Sequence, residues 1–229
     1  MENFNFKKDG LHIVKKAIEK DLATFLYNYI LVKKQVAQTL FKTRYISPYE
    51  DMFGHWSDPQ VPNTYANYAD IAMETLLLKL QPLMEQITEK KLYPNYSFVR
   101  VYKKGDVLER HKDRMSCEIS TTLHLGGDPW PIYIEPDPKK CGTFDMTRKP
   151  GEQFVSQNTK GVAVELDPGD MLIYRGSILE HWREALKGEH CAQVFLHYND
   201  VNFKNAKNRM YDSRLHLGLP ESFQKIKDE

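Results

Sequence analysis

At 229 residues, 41% of them hydrophobic, the chain is long enough to bury one substantial core, or one core with an added subdomain. Its 32 Lys and Arg against 31 Asp and Glu leave a net charge of +1, so no field draws in nucleic acid or an anionic membrane, and neither is expected as a partner. Three scattered cysteines, Cys117, Cys141 and Cys191, lack CxxC pairing, which argues against a disulfide framework or a zinc-thiolate site and for a reducing compartment.

The stretch MENFNFKKDG has no apolar h-region, and no later segment offers the roughly 18 uninterrupted apolar residues of a membrane span, so a cytoplasmic location is expected. From Asp21 to about Phe41, Leu22, Phe25, Leu26, Tyr29 and Ile30 recur at helical spacing behind an Asp suited to be an N-cap. A polar, Pro-bearing stretch, SPYEDMFGHWSDPQVPNTY, reads as a long surface loop. A second helix is predicted from about Ala66 to Lys90, with Pro82 as a kink.

After Asn95 the pattern changes to short β-prone runs: SFVRVY, CEISTTLHL, WPIYIE, VAVEL, MLIY and CAQVFLHY. Such runs, broken by Gly and Pro, predict a sandwich or barrel rather than alternating βα units. The interval from Gly126 to Gly161 holds five prolines and little periodicity, which predicts loops crossing one mouth of that barrel. The expected fold is mainly β with flanking α-helices. The whole chain, 1–229, reads as a single domain: helical support over 1–92, a β-core over 93–200 and a C-terminal extension over 201–229.

The chemistry is concentrated in two segments. In RHKDRMSCEI, His111 and Asp113 stand two positions apart, a spacing that puts imidazole and carboxylate on one side of an extended chain. Alone this is a weak signal. In LDPGDMLIYRGSILEHWREALKGEHCAQVFLHY, a Pro-Gly turn leads into a strand and then to His181, which can complete a set of two histidines and one carboxylate. That set covers one face of an octahedron and leaves three positions open, the arrangement of non-haem Fe(II) oxygenases.

The order HxD, PGD, then a single His opening a penultimate strand resembles the iron(II)- and 2-oxoglutarate-dependent dioxygenases, in their prolyl-4-hydroxylase-like branch. The resemblance spans about residues 93 to 200, including VRVYKKGDVLERHKD. It implies a double-stranded β-helix, or cupin-like jelly roll, with His111, Asp113 and His181 binding Fe(II). It also implies 2-oxoglutarate and O2 as co-substrates, with succinate and CO2 released as an unactivated C–H bond is hydroxylated. The substrate implied is a peptidyl residue such as proline; free amino acids and other small molecules stay open. Asp113 favours hydroxylation, since the related halogenases carry a small residue there. Tyr102 matches a tyrosine that hydrogen-bonds the co-substrate.

The family's remaining signature is a basic residue nine or ten positions beyond the distal His, and here those positions hold His190 and Cys191. Arg183, at i+2 from His181, is therefore the first candidate to bind the far carboxylate of 2-oxoglutarate, because its rigid fork suits a carboxylate bidentately. His190 is second and Lys187 third. His124 and His197, in apolar strands, are read as structural. Two rival functions stand beside the dioxygenase: a cupin-like metal enzyme independent of 2-oxoglutarate, whose His-x-His with Glu is absent, and a degenerate barrel acting as a binding module.

Overall fold

The computed structural model describes residues 4–47 and 49–224; residues 1–3, Pro48 and the last five residues of the expected extension lie outside the described residues. A single turn, α1 (Phe6–Asp9), leads to β1 (Leu11–Val14) and the long helix α2 (Lys20–Lys42). Then come β2 (Tyr65–Tyr68), α3 (Ile71–Thr88) and the 12-residue β3 (Leu92–Lys103). The remaining strands are β4 (Leu108–His111), β5 (Ile119–Gly127), β6 (Ile132–Ile134), β7 (Thr143–Phe144), β8 (Phe154–Val155), β9 (Val162–Val164), β10 (Met171–Tyr174), β11 (His181–Arg183) and β12 (His190–Asp200), and the short α4 (Ala206–Arg209) follows.

Two antiparallel sheets face each other. The larger has the order β1-β10-β5-β12-β3-β2 and the smaller β4-β11-β6-β9, while β7 and β8 form a separate hairpin. From β3 to β6 and again from β9 to β12, successive strands alternate between the two sheets, which is the jelly-roll pattern the family resemblance implies. Strand alternation sorts the side chains of the larger sheet. Val99, Val101, Leu123, Ala192, Val194 and Leu196 pack outward against Leu26, Ile30, Met73, Leu77 and Leu80 of the two long helices. The opposite face turns toward the smaller sheet, where Leu172 and Tyr174 meet Ile132, Ile134 and Val164 at one place and Tyr102, Phe195 and Cys191 meet Leu108 and Trp130 at another. Polar side chains occupy the space between these two clusters.

The helices depart from expectation at their starts. Helix α2 begins at Lys20 with Glu19 in the cap position, and Asp21 lies in the first turn, where its charge still faces the positive end of the helix dipole. Phe25 points away from the core, 66% exposed. The predicted second helix starts five residues late because Tyr65–Tyr68 pairs with Val101–Phe98 at the edge of the larger sheet. Ala69 then turns through a left-handed conformation, and the Asp70 carboxylate caps α3 by accepting from the Met73 N–H at 3.1 Å. Pro82 sits inside α3 without ending it. Among the described residues no helix is long and apolar enough to cross a membrane.

Residues after β12 wrap back over the sheet edge. Arg214, fully buried, pairs with Glu74 of α3 at 2.7 Å, and Asp212 accepts from Tyr68 at 2.7 Å and from both Arg114 Nη atoms.

Candidate metal centre

His111 ends β4 and His181 opens β11, and their Cα atoms are direct partners in the antiparallel register. The two rings come to 4.2 Å between centroids. Asp113 lies just beyond β4, in irregular backbone rather than in the strand, with its N–H donating to the Gly176 carbonyl at 2.9 Å. His111 Nε2 and His181 Nε2 each stand 3.5 Å from Asp113 Oδ1. The structure thus brings the three side chains together, with ligand atoms within 4.8 Å of one another.

Backbone carbonyls fix both rings. His111 Nδ1–H donates to the Glu109 carbonyl at 2.7 Å, and His181 Nδ1–H donates to the Leu179 carbonyl at 3.0 Å. A carbonyl can only accept, so each neutral imidazole keeps its lone pair on Nε2. Ser120 Oγ–H donates to Asp113 Oδ2 at 2.6 Å and is met in turn by His197 Nδ1 at 3.0 Å, which leaves Oδ1 as the oxygen facing the histidines. Gly176 makes room for this carboxylate: a Cβ there would stand 2.2 Å from Asp113 Oδ2 and 2.3 Å from Ser120 Oγ.

Electrostatics follow the same logic. Burial opposes charge on Asp113, but positive charge shared with His181 and then His111, a proton or a bound cation, holds its carboxyl well below the usual carboxylate range. Burial lowers His197 to about 4, so it is neutral near pH 7. Two lone pairs and a carboxylate oxygen converging with no donor between them is unfavourable unless a cation joins them, and one carboxylate with two imidazoles suits Fe(II). The donor set therefore fits that ion. Cys117 and His197 flank the other side of Asp113, but burial raises the Cys117 thiol and Tyr96 Oη contacts its Sγ at 3.0 Å, which keeps it a weak ligand.

A cavity of about 450 Å³ opens on this cluster, lined among others by Tyr102, Tyr174, Phe98, Phe195 and Arg100. Arg183, 1% exposed, does not line it but lies close to two residues that do, Tyr102 and Tyr174. Its guanidinium donates to the Trp130 carbonyl and to Thr122 Oγ1 at 3.1 Å, its Nε has no partner, and no carboxylate of the described residues pairs with it. Burial pushes its pKa down, against the stabilising neighbourhood of Cys191, Tyr102 and Tyr174. Tyr102 is fully buried with its ring edge-on to Trp130 at 4.6 Å.

His190 is not brought to the site. It faces the helices, its ring stacked 6.0 Å from Tyr27 and its Nε2 hydrogen-bonded to the Tyr27 hydroxyl. The neighbouring position turns inward, and there Cys191 stands. Lys187 is exposed in the turn before β12. Arg100 was not singled out from the sequence, although Phe98, Arg100 and Tyr102 alternate on one strand face and that spacing marks them as sharing the interior.

No family model matches the sequence, and no curated protein matches it. Solved structures do match in shape. A prolyl-4-hydroxylase from Pseudomonas putida aligns with a TM-score of 0.52 at 12% identity, over 85% of this chain and 95% of that one. AviO1 from Streptomyces viridochromogenes Tue57 gives 0.59 at 13% identity, over 88% and 95%. HygX from Streptomyces hygroscopicus, solved with nickel and 2-oxoglutarate bound, gives 0.54 at 14% identity, over 87% and 86%. At such identities the likeness is one of fold, and the chain carries the jelly-roll fold of the 2-oxoglutarate-dependent oxygenases.

Proposed function

We propose that the protein is an Fe(II)- and 2-oxoglutarate-dependent dioxygenase that hydroxylates an unactivated C–H bond and releases succinate and CO2. The observation that carries this reading is the convergence of His111 Nε2, His181 Nε2 and Asp113 Oδ1 with no donor between them, at the floor of a cavity. Fe(II) held there supplies O2 activation, which no side chain provides. The chain's own residues do the rest. His111, Asp113 and His181 would hold the ion, three donors being few enough to let co-substrate and O2 reach it. Arg183, a buried cation without an acid, grips the far carboxylate of 2-oxoglutarate, and the Tyr102 hydroxyl orients it. Phe98, Phe195 and Tyr174 wall the reaction off from water.

The cavity is near the lower end of small-ligand pockets, so with co-substrate seated it admits one side-chain-sized group. A peptidyl residue such as proline, in keeping with the prolyl-4-hydroxylase of the same fold, and a free small molecule both meet that limit.

Anaerobic addition of Fe(II) and then 2-oxoglutarate tests the reading. The expected result is a weak visible charge-transfer band, followed by succinate when O2 is admitted. Iron binding with no response to 2-oxoglutarate would favour a cupin-like metal enzyme; binding of neither would favour a non-catalytic barrel.

A further inference from the structure

Two arginines inside the protein have a buried Nε with no partner, Arg183 and Arg100. An orphaned N–H of this kind is destabilising unless a ligand satisfies it. On the dioxygenase reading, one end of 2-oxoglutarate meets the metal and the other meets Arg183. One co-substrate leaves Arg100 unexplained.

Arg100 extends from β3 with its side chain 2% exposed, and it lines the same cavity as His111, Asp113 and His181. Its guanidinium lies 5.0 Å from the Phe98 ring and 5.4 Å from the Tyr102 ring. The Nη atoms reach Asp58 as an ion pair, Gln60 Oε1 at 3.3 Å and Tyr102 Oη at 3.3 Å. Asp58 and Gln60 both come from the irregular segment between α2 and β2, and Gln60 is exposed. The cation thus rises from the cavity wall and the anion descends from its mouth.

The two buried arginines differ in charge balance. Arg183 has no acid and suits an anion. Arg100 is already neutralised by Asp58, so a simple anion at its free Nε would bring a second negative charge beside that carboxylate with nothing to balance it. A molecule with a carboxylate and an ammonium on one carbon avoids that imbalance. Its carboxylate can satisfy Arg100 Nε while its ammonium meets the Asp58 carboxylate, whose Oδ2 pairs with Arg100 and whose Oδ1 accepts from the Gln60 N–H at 2.8 Å. A residue inside a polypeptide has neither charge.

We propose that Arg100, Asp58 and Gln60 form the head-group subsite for a free α-amino acid, whose side chain lies among Tyr96, Phe98 and Phe195 and is the group hydroxylated. This rests on the dioxygenase reading and names its substrate class.

The test uses the protein loaded anaerobically with Fe(II) and 2-oxoglutarate, titrated with the common L-α-amino acids and with the same amino acids blocked as N-acetyl N-methylamides. At least one free amino acid should perturb the visible band and speed succinate formation tenfold or more, its blocked form doing neither. Arg100→Gln should still form the band but need at least tenfold more amino acid for the same perturbation, with partial recovery in Arg100→Lys. Asp58→Asn, a change on a surface segment, should show the same loss should Arg100→Gln fail to fold. Equal responses to free and blocked forms, no response to any free amino acid, or loss of the 2-oxoglutarate band itself in Arg100→Gln would each overturn the proposal. If the unaltered protein forms no band, the dioxygenase reading fails; calorimetric binding of the free amino acid, abolished by Arg100→Gln, would still uphold the subsite, and its absence would not.

Discussion

Arg183 shows what one residue can reveal and conceal. Its place two residues beyond His181 is written in the sequence, but its burial without an acid is a fact of the fold. Arg183→Ala should raise the 2-oxoglutarate requirement strongly while sparing iron binding, since losing one partner of a desolvated charge pair costs about 2 to 5 kcal/mol. Titration of the Fe(II)-loaded variant with 2-oxoglutarate reads this directly, and an unchanged requirement would remove Arg183 from the role. His190→Ala should leave that requirement at the wild-type value, because the His190 ring lies against Tyr27 on the far face of the sheet. Sequence spacing of nine or ten positions straddles both faces of β12. A period of two decides between them, and only the strand register supplies the phase. Ser120 and Gly176 were invisible for another reason: they hold Asp113 from 7 and 63 residues away, with no local pattern to mark them. Gly176→Ala should weaken Co(II) or Fe(II) binding about 10- to 100-fold, the usual scale for disturbing a ligand's support. Isothermal titration with Co(II) checks it, and wild-type affinity would show that the carboxylate has room to move.

At the scale of elements, the pairing of β4 with β11 is what sets the metal centre, and it is braced from behind. Arg110, next to His111, pairs with Glu180, next to His181, at 3.0 Å, and lies 3.4 Å over the Trp182 ring. Glu180, its side chain wholly buried, also accepts from the Gly142 N–H at 2.6 Å and from Ser156 Oγ, which ties the β7–β8 hairpin to the same strands. Glu180→Ala strands Arg110 and frees the hairpin, so it should lower stability by about 3 kcal/mol. Thermal melting measures that loss, and limited proteolysis should map new cuts to residues 142–160; an unchanged melting temperature would show the brace to be idle. The sequence predicted loops over this interval, and most of it is irregular, but no periodicity betrays two-residue strands. Nor did it expose β2, because the aromatic run Tyr65–Tyr68 abuts a strongly helical stretch and joins β3 only in three dimensions. Strands β3, β5, β10 and β12 were legible as compact runs rich in β-prone residues; they are buried on both faces along nearly their whole length, so composition rather than a period of two marks them.

For the molecule as a whole, near-neutral charge leaves pH sensitivity to a few buried groups. Burial holds His124 and His197 neutral, His197 at about 4, below the unfolded value of about 6.5. Below pH 6.5 the unfolded chain binds protons that the native state refuses, so stability is complete above that value and declines as pH falls toward 4. Urea unfolding between pH 7 and 4.5 should show this slope, and His124→Phe should flatten it; an equal slope would assign the acid sensitivity elsewhere. A divalent metal should act in the opposite sense, adding about 2.7 kcal/mol at a hundredfold excess over its dissociation constant, an increment absent from His111→Ala, Asp113→Ala and His181→Ala.

The direct pairing of His111 with His181 has a consequence for the order of events during synthesis. The two strands are 70 residues apart in the chain, with four further strands of the larger and smaller sheets and the β7–β8 hairpin formed from the intervening sequence. Closing so long a loop is a late step on entropic grounds. On the dioxygenase reading, a nascent chain that has not yet extended to His181 would offer iron only His111 and Asp113, too few donors to retain it. On that reading the ion would be captured only once the barrel has closed, which spares the half-made chain from holding a reactive metal against unprotected protein.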